Sequence, residues 1–299
     1  MINDIKMAME YVRLLHYYRD EYFRVTMSPA LFFNSKKGIY ENNNMLLFTG
    51  EAALLGKKQG LILEKDFVEY VEAFKSCEIS AGLFQRHPLP YPDVKGIERD
   101  VVSHDEYNGI MYACAVYPEF RDTFAVDVCE YGEKYDWEYN DAMPDTSFNL
   151  ELKNNFSATI DHVFNLISLL SNKKEYRGKV GIAENLTQKR QLRDRCFYKI
   201  MSSKHSPSLL EKLYLAASVV MTTRKEVGYK HNSGRMLALY RMWAIEEVGE
   251  TSILLKLAHK YFRKKCKDQF GEDYVEELHN GYFTKDRDHP FLQLCKGLK

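Results

Sequence analysis

The densest chemistry in the sequence falls in two short groups that a proline-rich segment separates. The first is the turn Leu83-Phe84-Gln85-Arg86-His87, after which Pro88, Pro90 and Pro92 prevent a helix from continuing. The second is Ser103-His104-Asp105-Glu106-Tyr107-Asn108, at the head of a mostly apolar run to Val116. On a helix, His104 and Asn108 share one face at i and i+4, with Tyr107 beside them. An imidazole or phenol that removes an α-proton, next to an amide that neutralises a carboxylate, is the equipment of uronate elimination. Arg86 and His87 would add charge from the opposing turn. Trp137 and Tyr139 would offer a stacking platform from the acidic, aromatic stretch Glu133 to Asn149, which reads as a long loop of the kind that often carries function. The candidate catalytic residues are therefore His104, Asp105, Tyr107 and Asn108, and the candidate substrate-binding residues are Arg86, His87, Trp137 and Tyr139. Hydrolysis by two carboxylates is the variant of this reading, with Asp105 paired to Glu41, Asp136 or Asp141.

Two other readings compete for the same residues. Helical metal phosphohydrolases of the HD type use an adjacent His-Asp pair, which His104-Asp105 could supply together with His87 and Asp161-His162. The separation from His87 is short for two helices, however. The structural alternative is that Ser103 and Glu106, at capping-box spacing, only satisfy the amides that start a helix. In that case His104 bonds to the Arg86 turn. Six cysteines lie far apart with no CxxC pair, so reduced thiols are expected, with no metal site and no cofactor. Lysine plus arginine equals aspartate plus glutamate at 42 each, which leaves no global field for nucleic acid. The basic run Arg263-Lys264-Lys265 with Lys267 reads as the solvated end of a helix. No stretch reaches the roughly 18 apolar residues of a membrane span, so a soluble chain is expected. Tyrosine, at 21 residues, outnumbers phenylalanine at 17, which suits wet, amphipathic grooves as well as helix interfaces.

The elements that must position these groups are helical. Ile5, Ala8, Val12 and Leu15 predict an amphipathic helix from Asn3 to about Arg24. Further helices are expected at 44–55 with Gly56 as stop, at 64–76, from Ser103 to Pro118, at 119–131 with Gly132 as stop, and at 159–171 and 183–202. Three more cover the apolar run after Pro207, the run from Ser233-Gly234, and the run that Gly249 divides from it. The lone histidines at 16, 205, 231, 259, 279 and 289 read as packing or surface residues. From Lys267 the chain reads as a polar tail, with Phe283 and the turn around Phe291 docking back. Scarcely any stretch alternates with period two. The expectation is one all-α domain over residues 1–299, whose helices pair as hairpins round a ring or stack as a bundle. No fixed-period repeat points to an array.

Gly82-Leu83-Phe84, Arg86, Pro88, Ser103-His104-Asp105, Tyr107, Gly109-Ile110, Tyr131-Gly132, Trp137 and Ser233-Gly234 stand in an order that resembles a group of functionally unassigned helical proteins encoded by tailed bacteriophages. The likeness covers about half of the chain and is densest from Gly82 to Asn140. Glu106 departs from the aspartate of that pattern. At pattern level the order also resembles the (α/α) toroids of glycan lyases and glycosidases, where serine-acid motifs begin inner-ring helices. The resemblance implies an incomplete α/α barrel with a concave cleft for a glycan ligand, in the host cytoplasm or associated with the virion. It equally admits a non-enzymatic virion component or a protein that binds a host factor.

Overall fold

The computed structural model describes residues 2–16, 31–34, 39–42, 45–62, 64–84, 104–134, 137, 182–223, 230–282 and 290–298. The fold is all-α. In chain order it runs α1 (Ile2–His16), β1 (Leu31–Asn34), β2 (Ile39–Asn42), α2 (Met45–Lys58), α3 (Glu64–Cys77), β3 (Glu78–Ser80), β4 (Leu83–Phe84), α4 (His104–Val116), α5 (Pro118–Asp122) and α6 (Phe124–Lys134). It continues with α7 (Ile182–Met201), α8 (Leu209–Met221), α9 (Lys230–Glu247), α10 (Ile253–Phe270), α11 (Tyr274–Tyr282) and α12 (Pro290–Cys295). The strands form two small antiparallel hairpins, β1 with β2 and β3 with β4. Both are too short for an alternating pattern to register in sequence.

α4 is the centre of the packing. Every residue from Glu106 to Tyr117 is buried, and α2, α5, α6, α7 and α9 all pack against the helix. Among the described residues the middle is thus occupied by a helix where the toroid expectation puts an open concave centre. Glycine sets the closest approach. A Cβ on Gly50 would lie 1.8 Å from the Gly109 carbonyl oxygen, and one on Gly109 would lie 1.9 Å from that of Leu46. The backbones of α2 and α4 therefore touch, which no side chain at either position permits.

Four expectations change, the first being that α2 runs through its expected stop at Gly56 to Lys58. α1 does not bury Ile5 and Val12; they are exposed with Met9, and the face turned inward carries Tyr11. α1 packs chiefly against α12, and on α2 Gly56 leaves room for the Tyr11 ring, which a Cβ there would approach to 2.5 Å. The expected helix from Glu119 to Tyr131 is two helices broken at Thr123, and α6 runs through Gly132 to Lys134. The break lets Arg121 donate to the Met201 carbonyl at 2.9 Å, at the end of α7. The segment after Lys267 is no polar tail. Tyr274, Val275, Leu278, His279, Phe291, Leu294 and Cys295 are fully buried, so α11 and α12 belong to the core.

Ser208 starts α8 with a complete capping box, its hydroxyl accepting from the Glu211 amide at 3.2 Å while Glu211 accepts from the Ser208 amide at 2.6 Å. Gly249, at φ 72°, makes the left-handed turn between α9 and α10, and α10 then packs against α8. All six cysteines are buried free thiols. No described helix is long and apolar enough to cross a membrane.

Candidate functional site

At the head of α4, Glu106, Tyr107 and Asn108 are buried. Glu106 accepts from the amides of Leu46 at 2.7 Å and Leu47 at 3.2 Å. The carboxylate thus caps the first turn of α2, where it also complements the helix dipole. Tyr107 is fully buried; its hydroxyl donates to the Gly82 carbonyl at 3.3 Å and accepts from the Phe84 amide at 3.2 Å. Burial pushes that hydroxyl well above the usual tyrosine range, so it is no proton acceptor near neutral pH. It fastens the β3–β4 hairpin onto α4, with the Phe84 ring edge-on at 6.2 Å.

Asn108, also fully buried, accepts from Arg241 Nε at 2.9 Å. The other arm of the Arg241 guanidinium reaches Asp194 Oδ1 at 3.2 Å, and Asp194 is gripped at 2.7 and 3.0 Å by Arg193. The amide that would neutralise a substrate carboxylate is instead neutralising nothing from solvent; it ties α4 to α9 and, through Asp194, to α7. Trp137 is buried too, at φ 64°, with the Arg195 guanidinium 5.1 Å and the Lys199 ammonium 5.5 Å from its ring centre. Those cations hold the ring that a sugar would stack on. Tyr107, Asn108 and Trp137 are therefore structural residues in this fold, contrary to the catalytic and stacking roles expected of them. The side chains of His104 and Asp105, which open α4, lie outside the described residues, as do Arg86, His87 and Tyr139 entirely. Asp161 and His162 lie outside them as well. No group of three or more potential metal ligands occurs among the described residues.

Comparison with protein-family models, curated proteins and solved structures gives no match for this chain.

The described surface carries an exposed apolar row on α10. Ile253, Leu257 and Tyr261, at four-residue steps, are 76%, 60% and 43% exposed. Eight residues at the helical rise make this apolar stripe about 12 Å long. Lys256, Lys260, Lys264 and Lys265 are exposed around it. The basic run Arg263-Lys264-Lys265 with Lys267 follows the stripe in the last turns of α10, with Lys264 and Lys265 exposed as a solvated helix end and Lys265 5.8 Å from the Tyr261 ring.

Beside the stripe, the corner between α9 and α10 holds a cavity of about 470 Å³, within the range of small-molecule sites. Glu246 on its wall meets Arg263 Nη2 at 2.7 Å, His259 Nδ1 at 3.6 Å and Lys58 Nζ at 3.8 Å. Burial alone would raise the Glu246 carboxyl, but the neighbouring His259, Arg263 and Lys58 outweigh it and hold the group below its ordinary value. Glu250 accepts from the Ser252 amide at 2.8 Å and from Lys212 at 3.2 Å.

Proposed function

We propose that the chain is a non-enzymatic binding protein whose α10 face receives an acidic, apolar-edged segment of another protein. The observation that carries this reading is the row Ile253, Leu257 and Tyr261, exposed in register along one helix and bordered by lysines. Large apolar side chains aligned in solvent are the usual mark of a surface covered in a complex, and the lysines favour a partner that carries carboxylates. A sugar-cleaving cleft at the head of α4 is disfavoured, because Tyr107, Asn108 and Trp137 are already engaged in the core. The resemblance to phage-encoded helical proteins makes virion and host proteins the first partners to test.

A zero-length carbodiimide, which joins lysine to carboxylate, is the suitable reagent. Wild type and the double variant Leu257→Asp, Tyr261→Asp are each treated with virion or host protein fractions, and cross-linked peptides are sequenced. The expected result is one partner whose acidic segment joins Lys256, Lys260, Lys264 or Lys265 in wild type and is lost in the variant, with unfolding unchanged. Equal cross-linking in both proteins, self-association removed by the substitutions, or turnover of a glycan substrate would overturn the reading.

A further inference from the structure

α1 carries a second exposed apolar row, on the side away from the buried Tyr11. Ile5, Met9 and Val12 are 57%, 68% and 46% exposed. At about 100° per residue the three fall within about 60° of arc, and they span about 10 Å along the helix axis. Aligned in this way they form a continuous apolar strip, which solvent leaves uncovered at a cost that a partner surface removes.

The charges beside the row identify the partner. The stripe on α10 is bordered by lysines, whereas on α1 the signs balance, Lys6 and Arg13 against Asp4 and Glu10. An acidic protein or an anionic membrane surface calls for an excess of basic residues, which α1 lacks. Lys6, Glu10 and Arg13 lie along one flank of the row and Asp4 along the other. Glu10 accepts from Arg13 at 3.2 Å, an exposed pair within the helix that a second cation can join at little cost. Two copies of α1 laid antiparallel, with a two-fold axis beside Met9, match both patterns at once. Ile5 of each copy meets Val12 of the other, the two Met9 side chains meet at the axis, and Lys6 of each copy falls within about 1.5 Å of Glu10 of the other along the axis. A parallel pair sets Lys6 against Lys6 and Glu10 against Glu10, which repel.

We infer that the chain self-associates through α1, as an antiparallel two-fold pair of these helices. The contact is separate from the α10 face and leaves that face open to its own partner. One pair of short helices stands at the low end of specific interfaces, below about 1,200 Å² in total. The association is therefore weak, with a dissociation constant between about 10 μM and 1 mM.

Sedimentation equilibrium of the full chain across that concentration range measures the dimer. Met9→Glu, at an exposed position, should abolish it and leave thermal unfolding of the monomer unchanged. Lys6→Glu and Glu10→Lys should each weaken it roughly tenfold, and the two together should restore it, because the exchange re-forms the pair between copies with its signs reversed. All six native cysteines are buried, so mild oxidation reports on introduced ones. An equal mixture of Ile5→Cys and Val12→Cys proteins should form a mixed disulfide dimer, and Ile5→Cys alone should not. The Leu257→Asp, Tyr261→Asp variant should associate as wild type does, so the α1 contact and the α10 reading stand or fall separately. A monomer throughout the range, a dimer indifferent to Met9→Glu, or no restoration by the charge exchange would overturn the inference. So would a disulfide of Ile5→Cys with itself, loss of the dimer in the α10 variant, or Met9-dependent binding to phosphatidylglycerol vesicles in place of a dimer.

Discussion

Replacing Asn108 separates its structural role from a chemical one. Its side-chain oxygen is the acceptor for Arg241 Nε, and the rest of the Arg241 guanidinium has Asp194 and the face of Phe197, 5.9 Å away. Arg241 and Asn108 are both buried, so water cannot replace a lost acceptor. A hydrogen bond to a charged group is worth about 1.5–3 kcal/mol, and a buried charge left short of a partner pushes the loss to the upper end. Asn108→Leu keeps the side-chain volume and removes the acceptor, so it should destabilise by about 2–3 kcal/mol. Asn108→Ala should cost more, because a cavity adds to the lost bond. Asn108→Asp keeps an acceptor and offsets the excess positive charge of Arg193 and Arg241 over Asp194. It should be the mildest of the three. Urea unfolding with a common slope measures all three. An Asn108→Leu protein within about 0.5 kcal/mol of wild type would refute the assignment, since surface-like tolerance is incompatible with an acceptor role in the core.

Gly50→Ala or Gly109→Ala forces touching backbones apart, and the loss should exceed the usual overpacking range of about 1–3 kcal/mol. Gly234→Ala, inside α9 with open space around its Cβ, should stabilise by about 0.5–1 kcal/mol; chemical denaturation of the three proteins compares them. His279 should titrate far below an ordinary histidine. Burial drives it from 6.5 to about 4, and its Nδ1, which must donate to the Val275 carbonyl at 2.7 Å, leaves Nε2 to accept from the Tyr240 hydroxyl at 3.0 Å. Because the unfolded chain takes up the proton first, this contribution is complete above pH 6.5. It declines as pH falls from 6.5 to about 4, by about 3 kcal/mol in total. An imidazole resonance that titrates near 6.5 in the folded protein would refute it.

The parts legible in sequence are those written locally. Pro118 and Gly249 end helices where they stand, and α4 is apolar on nearly every side because it is surrounded. The Ser103-to-Glu106 spacing pointed to a capping box for α4 itself; Ser103 lies outside the described residues, and Glu106 caps α2 instead. Its observed donors are Leu46 and Leu47, 60 and 59 residues away, and no local pattern encodes that distance. The same applies to Asn108, whose partner Arg241 is 133 residues distant. Polar side chains crowded at a helix head look alike whether they face a substrate or the backbone of another helix. On α1, apolar stripe counting favoured Ile5 and Val12, whereas the helix docks mainly on α12, with Tyr11 in the space that Gly56 leaves on α2. In the last thirty residues the docking of Phe291 was legible, whereas charged neighbours hid the burial of Tyr274, Val275 and Leu278 that fixes α11 in the core. Ser208 and Glu211 carried a complete capping signature that spacing alone could have found.

The joint of α2 with α4 has a consequence for a chain cut in two. Glu106 caps α2, and Gly50 and Gly109 bring the two backbones into contact, so this contact does not depend on the covalent connection between α3 and α4. A break introduced there would leave an N-terminal piece carrying α1 to α3 and a C-terminal piece carrying α4 onward. Each would present half of an apolar, glycine-matched surface to the other. Such a pair of fragments should reassemble when mixed, and the molecule would lend itself to complementation as a split reporter, with Gly109→Ala abolishing the reunion.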